Sequence, residues 1–282
     1  MIFTSARQLK DRLRNEAQRR GIPPMTVMNH YMMERLLSRF AASSYNDKFI
    51  VKGGFLIASM IGEDLRTTQD LDATIKGMLV DERMVLSMMD EVMGIDQGDQ
   101  ISFRLLSIVR IREESAYDNF RVTLDASFQT IQERLSVDIT TGDSVIPREI
   151  DYSYRLMFDD RPITIRAYNL QTILAEKIES ILMRNITNTR ARDYYDVFVL
   201  MKTRASDLDF AGLRDALIIK TRERNTEHVL AEHARLLEQI GADPDLHRIW
   251  IAYQKQYPYA SGILFDEIIA MLRDILNQLF NS

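Results

Sequence analysis

The most constraining stretch of this sequence is Lys52-Gly53-Gly54, set between two apolar segments of different character. Phe49-Ile50-Val51 before it is a short run of the kind that fills a buried strand, and Phe55 to Ile61 after it reads as a buried helix stopped by Gly62. A chain that turns from strand to helix in so few residues needs backbone freedom, which the two glycines supply. Sixteen residues after Gly54 comes Asp70-Leu71-Asp72. The alternation from Gln69 to Ile75 puts both aspartates on one side of a strand and Leu71 and Ala73 on the other. Strand, glycine turn, helix and acid-bearing strand thus follow one another in that order.

The flanking sequence predicts how this unit is covered. Ser5 to about Ala42 has helical periodicity, broken at Gly21-Ile22-Pro23-Pro24, and forms an N-terminal helical segment. A methionine-rich helix is expected over Asp81 to Val92, where the methionines serve as core filling. Ile101 to Arg112 and Phe120 to Phe128 read as two strands of a hairpin that turns at Tyr117-Asp118-Asn119. Leu135 to Ile139 is a further strand that presents Asp138 opposite to Val137 and Ile139, and Ile163 to Ala167 is the last strand expected. From Leu170 onward the period changes to that of a helix, with Ile173, Leu174, Ile178, Ile181 and Leu182 on one stripe. Two domains follow: residues 1–168 with the strands and the N-terminal helices, and an all-helical domain over 169–282.

Composition removes several classes of function. The chain has no cysteine, which excludes disulfide frameworks, thiol nucleophiles and cysteine zinc sites, and His228 and His233 lie five apart rather than at the helical spacing of four. No run of apolar residues is long enough to cross a membrane, and the start of the chain is charged (Arg7, Lys10, Asp11, Arg12), so a cytoplasmic protein without a membrane partner is expected. The formal net charge of -5 means that a polynucleotide would have to be met by a local basic surface. Arg7 to Arg20 and Lys177 to Arg192 are two stretches where cations gather.

Two carboxylates at i and i+2 of a strand can share divalent cations, and magnesium takes such hard oxygen ligands together with water and substrate phosphate. A two-ion site of this kind activates a hydroxyl and stabilises a leaving pyrophosphate. Asp138 is the expected third carboxylate, because an acid central in an apolar strand calls for a cation; Asp125 and Asp143 are rivals. Gly53 and Gly54 let a phosphate approach the backbone, with the helix that follows directing its free amides at the anion. Arg66, four residues before Asp70, borders the same region and suits the triphosphate, while Lys52 suits either phosphate or solvent.

Val51-Lys52-Gly53-Gly54-Phe55-Leu56, followed by Leu65-Arg66-Thr67-Thr68-Gln69-Asp70-Leu71-Asp72, resembles the signature of the AbiEii/AbiGii toxin nucleotidyltransferases. Ala175-Glu176-Lys177-Ile178 and Ala191-Arg192-Asp193-Tyr194-Tyr195-Asp196 match the Glu-Lys and Arg-Asp pairs of that family. The resemblance implies an α+β chain: a DNA-polymerase-β-like nucleotidyltransferase core, a mixed sheet with flanking helices, joined to a helical C-terminal domain. It implies a magnesium-dependent toxin that transfers a nucleoside monophosphate from a nucleoside triphosphate, with transfer RNA as the expected acceptor; the alternatives are a protein hydroxyl as acceptor, or a non-catalytic module that binds nucleotide or antitoxin on a transferase scaffold. A cognate antitoxin, a DNA-binding regulator encoded nearby, and a part in phage defence or growth control are implied as well. By position, Asp70 and Asp72 are the implied metal ligands, Lys177 the phosphate contact and Asp193 a catalytic acid. Where many nucleotidyltransferases have Gly-Ser, this chain has Gly53-Gly54, so backbone amides must serve in place of a hydroxyl.

Overall fold

The structure is a computed structural model that describes residues 3–62, 66–68, 70–111 and 119–280. Leu65, Gln69, Arg112 and the Tyr117-Asp118 portion of the expected hairpin turn lie outside the described residues. The chain divides into two compact units: one runs to Asp143 and includes Glu149–Ala167, and the other joins Ser144–Arg148 to the chain from Tyr168 onward.

The first unit opens with α1 (Ala6–Arg20) and α2 (Pro24–Ala42). Ser5 caps α1, and Gly21 ends it in the left-handed conformation at φ 66°. The strands are β1 (Phe49–Lys52), β2 (Asp70–Ile75), β3 (Ser102–Ile111), β4 (Asn119–Phe128), β5 (Ile131–Thr141), β6 (Ile150–Tyr154) and β7 (Ile163–Ala167). Among the described residues they form one mixed sheet in the order β3-β4-β5-β2-β1-β7-β6. α3 (Gly53–Ile61) joins β1 to β2, and α4 (Glu82–Gly94), capped by Asp81, follows β2. The central pairs alternate in sense: β1 runs antiparallel to β2 and parallel to β7, while β2 runs parallel to β5.

One face of the sheet is apolar. Leu135, Val137 and Ile139 on β5 and Val122, Leu124 and Ala126 on β4 are buried there, and α2 packs against β5 while α4 packs against β3. α2 is far more than a peripheral helix, since every residue from Val27 to Phe40 is buried. Its charges are met inside the unit. Arg39 holds Asp99 through two bonds of 3.0 and 2.7 Å and donates to the carbonyls of Arg35 and Ile101. Glu34, fully buried, accepts from the Met157 amide and the Tyr154 hydroxyl, which also meets His30 Nε2 at 2.9 Å.

The second unit is helical: α5 (Leu170–Arg184), α6 (Ala191–Arg204), α7 (Phe210–Glu223), α8 (His228–Ala231), α9 (His233–Ala242), α10 (Pro244–Gln256) and α11 (Phe265–Phe280). α5 packs on α6 and α7 along the predicted stripe, with Ile173, Leu174, Ile178, Ile181 and Leu182 all buried. Asn169 caps α5 by accepting from the Thr172 amide and also donates to the carbonyls of Ile146 and Arg148. No described helix is long and apolar enough to cross a membrane.

Candidate active site

Strand register brings together residues that are far apart in sequence. Lys52 on β1 pairs with Asp72 on β2, Asp72 with Asp138 on β5, and Asp138 with Arg121 on β4. Because directly paired residues project to the same side of a sheet, Lys52, Asp72, Asp138 and Arg121 form one row across four strands, neighbours standing about 4.8 Å apart. Asp70, two residues along β2, shares their face beside Ser136. The face is the one opposite the apolar core.

Each end of the row is closed by an ion pair. Arg121 grips Asp138 with both arms, Nε to Oδ1 and Nη2 to Oδ2, each at 2.7 Å. These hydrogen bonds and the Asp138 charge hold the guanidinium pKa well above its usual value against the opposing effect of burial, with lesser help from the more distant charges of Asp70 and Asp72. At the other end the Lys52 ammonium meets Asp143 Oδ2 at 2.5 Å, and the Thr140 hydroxyl donates to the same oxygen at 2.7 Å. Asp125 stands elsewhere, four residues along β4 from Arg121, paired with Arg104 at 2.6 Å. Of the three aspartates considered for the third position, Asp138 is the one in register with Asp72.

The glycine turn is fitted to this row atom by atom. Gly53 has φ +66°, and a β-carbon there would fall closer than 3.0 Å to the carboxylate and β-carbon of Asp72. A β-carbon on Gly54 would likewise fall closer than 3.0 Å to the guanidinium of Arg66. Arg66 is buried and donates to the Thr67 carbonyl at 3.3 Å. Both glycines thus admit a charged side chain against the backbone at the start of α3, where the first-turn amides lack helical partners.

In the helical unit α5 supplies Lys177 and α6 supplies Asp193 and Asp196. The ammonium meets Asp193 Oδ1 at 2.6 Å and Asp196 Oδ2 at 2.8 Å, with both aspartates buried. Arg190 also reaches Asp193, at 3.1 Å. Arg192 does not pair with Asp196; it donates to the Tyr257 hydroxyl at 3.0 Å. Glu176 lies at 3.2 Å from the buried ammonium of Lys220.

Among the described residues no three Asp, Glu or His side chains are gathered into a ready metal cage. The donor set nevertheless suits magnesium, which commonly binds through one or two carboxylates and fills its shell with water and phosphate. Asp70 and Asp72 share a face and Asp138 adjoins Asp72 in register, though both Asp138 oxygens point at Arg121.

A mixed sheet flanked by helices, carrying paired aspartates beside a glycine turn, is the layout expected of a nucleotidyltransferase. MenT4, a nucleotidyltransferase toxin from Mycobacterium tuberculosis H37Rv, has the same fold at TM-score 0.58 and 13% identity, over 96% of this chain and 98% of that one. A Helicobacter pylori protein described as a nucleotidyltransferase aligns at TM-score 0.52 and 15% identity, over 92% of this chain and 98% of that one. No curated protein matches the chain. The chain belongs to the family of nucleotidyl transferase AbiEii toxins of type IV toxin–antitoxin systems, whose model matches residues 35–271. That membership makes it a toxin of a type IV system and implies an antitoxin partner and a nucleoside triphosphate substrate.

Arg121 is the member of this charged row that sequence reasoning missed. Its signal was faint: β4 alternates Arg121, Thr123 and Asp125 on one face, but only register reveals that Arg121 meets Asp138.

Proposed function

We propose that this toxin transfers a nucleoside monophosphate to a hydroxyl of RNA, with the acceptor end of transfer RNA as its target. The charged row Lys52–Asp72–Asp138–Arg121, with Gly53 fitted against Asp72, is the observation that carries this reading. Asp70 and Asp72 would hold magnesium, joined by Asp138 once it turns from Arg121. When bound, the ion supplies charge neutralisation at the α-phosphate and the departing pyrophosphate.

The chain's own residues bind and orient. First-turn amides of α3 at Gly53 and Gly54 cradle the triphosphate, and Arg66 brings a planar cation to its oxygens. The acceptor oxygen bonds to the α-phosphorus as the bond from that phosphorus to the bridging oxygen breaks. Pyrophosphate leaves with the electron pair, and the hydroxyl proton passes to solvent. By its position in the family pattern Lys177 would contact nucleotide phosphate. Asp193, expected as a catalytic acid, is buried and paired to Lys177 together with Asp196, so in this reading both aspartates are positioning residues that fix its ammonium.

Incubation with each labelled nucleoside triphosphate, total RNA and total protein tests the reading. Label is expected in the transfer RNA fraction, with Asp72→Ala lowering incorporation by roughly 10²-fold or more. Label entering protein alone makes the enzyme a protein nucleotidylase instead. Wild-type incorporation by Asp72→Ala would place catalysis outside this row.

A further inference from the structure

The face that bears the charged row continues beyond it. Along β4 the residues after Arg121 on that side are Thr123 and Asp125, and the register adds Ser136 and Arg134 from β5 and Ser107 and Arg104 from β3. Two more rows therefore lie beside the catalytic one: Ser136–Thr123–Ser107, then Arg134–Asp125–Arg104. Among the described residues the hydroxyls of Ser107, Thr123 and Ser136 have no hydrogen-bond partner, and Ser107 is exposed. Arg104 and Arg134 stand out into solvent, their side chains 73% and 74% exposed, while Asp125 between them is only 19% exposed. Outward the row presents two guanidinium groups above one recessed carboxylate. A surplus of positive charge there contrasts with the net charge of -5 of the whole chain.

Arginines with free hydroxyls between them are the groups that hold a phosphodiester backbone, the arginines through charge and the hydroxyls as donors to phosphate oxygen. From the row of Arg121 to that of Asp125 is four residues of β4, or about 13 Å at strand rise. A stacked single strand advances about 3.4 Å per nucleotide, so this distance spans roughly four nucleotides. Val109, 53% exposed and opposite Arg121 in the register, offers an apolar contact for a base at the catalytic end.

We infer that the exposed face of β3, β4 and β5 is the docking track for a single-stranded RNA 3′ end, with Arg104 and Arg134 holding the backbone about four nucleotides upstream of the reacting hydroxyl. This rests on the proposal that RNA is the acceptor.

The test is equilibrium binding of bulk transfer RNA to the full chain at several salt concentrations. For Arg104→Ala/Arg134→Ala the dissociation constant is expected to rise roughly tenfold or more, and the slope of log affinity against log salt to fall by about two. Because that variant strips Asp125 of its partners, Ser107→Glu is measured beside it. This second variant breaks no ion pair and is expected to weaken binding roughly tenfold through like charge. Arg248→Ala, which alters a side chain that is 75% exposed on α10 and lies outside both basic stretches, serves as the control and should bind as wild type. Ser107→Glu binding within twofold of wild type overturns the track, whatever the double variant does. If wild type labels RNA while both variants bind normally, the track is wrong and RNA transfer stands. Label entering protein alone overturns both.

Discussion

At Gly53 the backbone sits at φ +66°, and the space a β-carbon would fill is taken by the Asp72 side chain. Gly53→Ala therefore acts twice. An L-residue in the left-handed region costs roughly 1–2 kcal/mol. The new methyl group also forces Asp72 away from its place, and displacement of a reacting group by an ångström can cost about 10²-fold in rate. The expectation is a folded protein with a modestly lowered midpoint in urea and nucleotide incorporation down roughly 10²-fold. Retention of full incorporation would show that Asp72 works from another position. The glycines and Asp70-x-Asp72 were legible because their spacing is local. Arg121 and the Lys177–Asp193–Asp196 cluster depend on pairings across 16 or more residues, which sequence alone leaves open: Glu176 and Glu179 were equally available to Lys177.

Among the elements, α2 shows how charge can disguise a core helix. Its sequence carries Glu34, Arg35 and Arg39 among the apolar residues, yet all three are buried and Arg39 closes a bidentate pair with Asp99 before β3. Removing one partner of a buried pair leaves the other charge uncompensated, at a cost of roughly 3–5 kcal/mol. Asp99→Ala should lower unfolding free energy in urea by that amount; a loss under about 1 kcal/mol would mean that Arg39 finds another acceptor. β2 and β5 were foreseen from their alternation, β1 from its short apolar run, and β3 and β4 as a hairpin. β6 was not, because Asp151-Tyr152-Ser153-Tyr154 is a short edge strand whose pairing comes entirely from β7. The order of the sheet was likewise hidden, since β2 pairs with β5 across about sixty residues of intervening chain.

For the molecule as a whole, its stability at low pH follows from carboxylates spread over both units. Arg19 hydrogen bonding, helped by Arg20, holds Glu16 down to about 2 against an ordinary 4.5. Glu149 is lowered by Lys76, Asp207 by Arg204 and Glu232 by Arg235. A depressed folded-state pKa means that the unfolded chain binds protons first. These groups therefore stabilise fully above about 4.5 and lose their contribution as pH falls toward about 2. Glu133 works the other way, because burial raises its pKa and protonation relieves that cost. With the depressed groups in the majority, urea midpoints should hold from pH 7 to 5 and then fall by pH 3. A midpoint that rises on acidification would contradict this balance.

The parallel pairing of β2 with β5 has a consequence for when this toxin becomes dangerous. Asp70, Asp72 and Asp138 face outward only because Leu71, Ala73, Val137 and Ile139 face inward on the same strands. A slip of one residue in either strand would turn its aspartates into the core and its aliphatic residues toward water, which the core forbids. A nascent or misassembled chain thus has no partial version of the carboxylate row, and on the proposed mechanism nucleotide transfer requires the finished sheet. On that mechanism the species an antitoxin must neutralise is the folded chain.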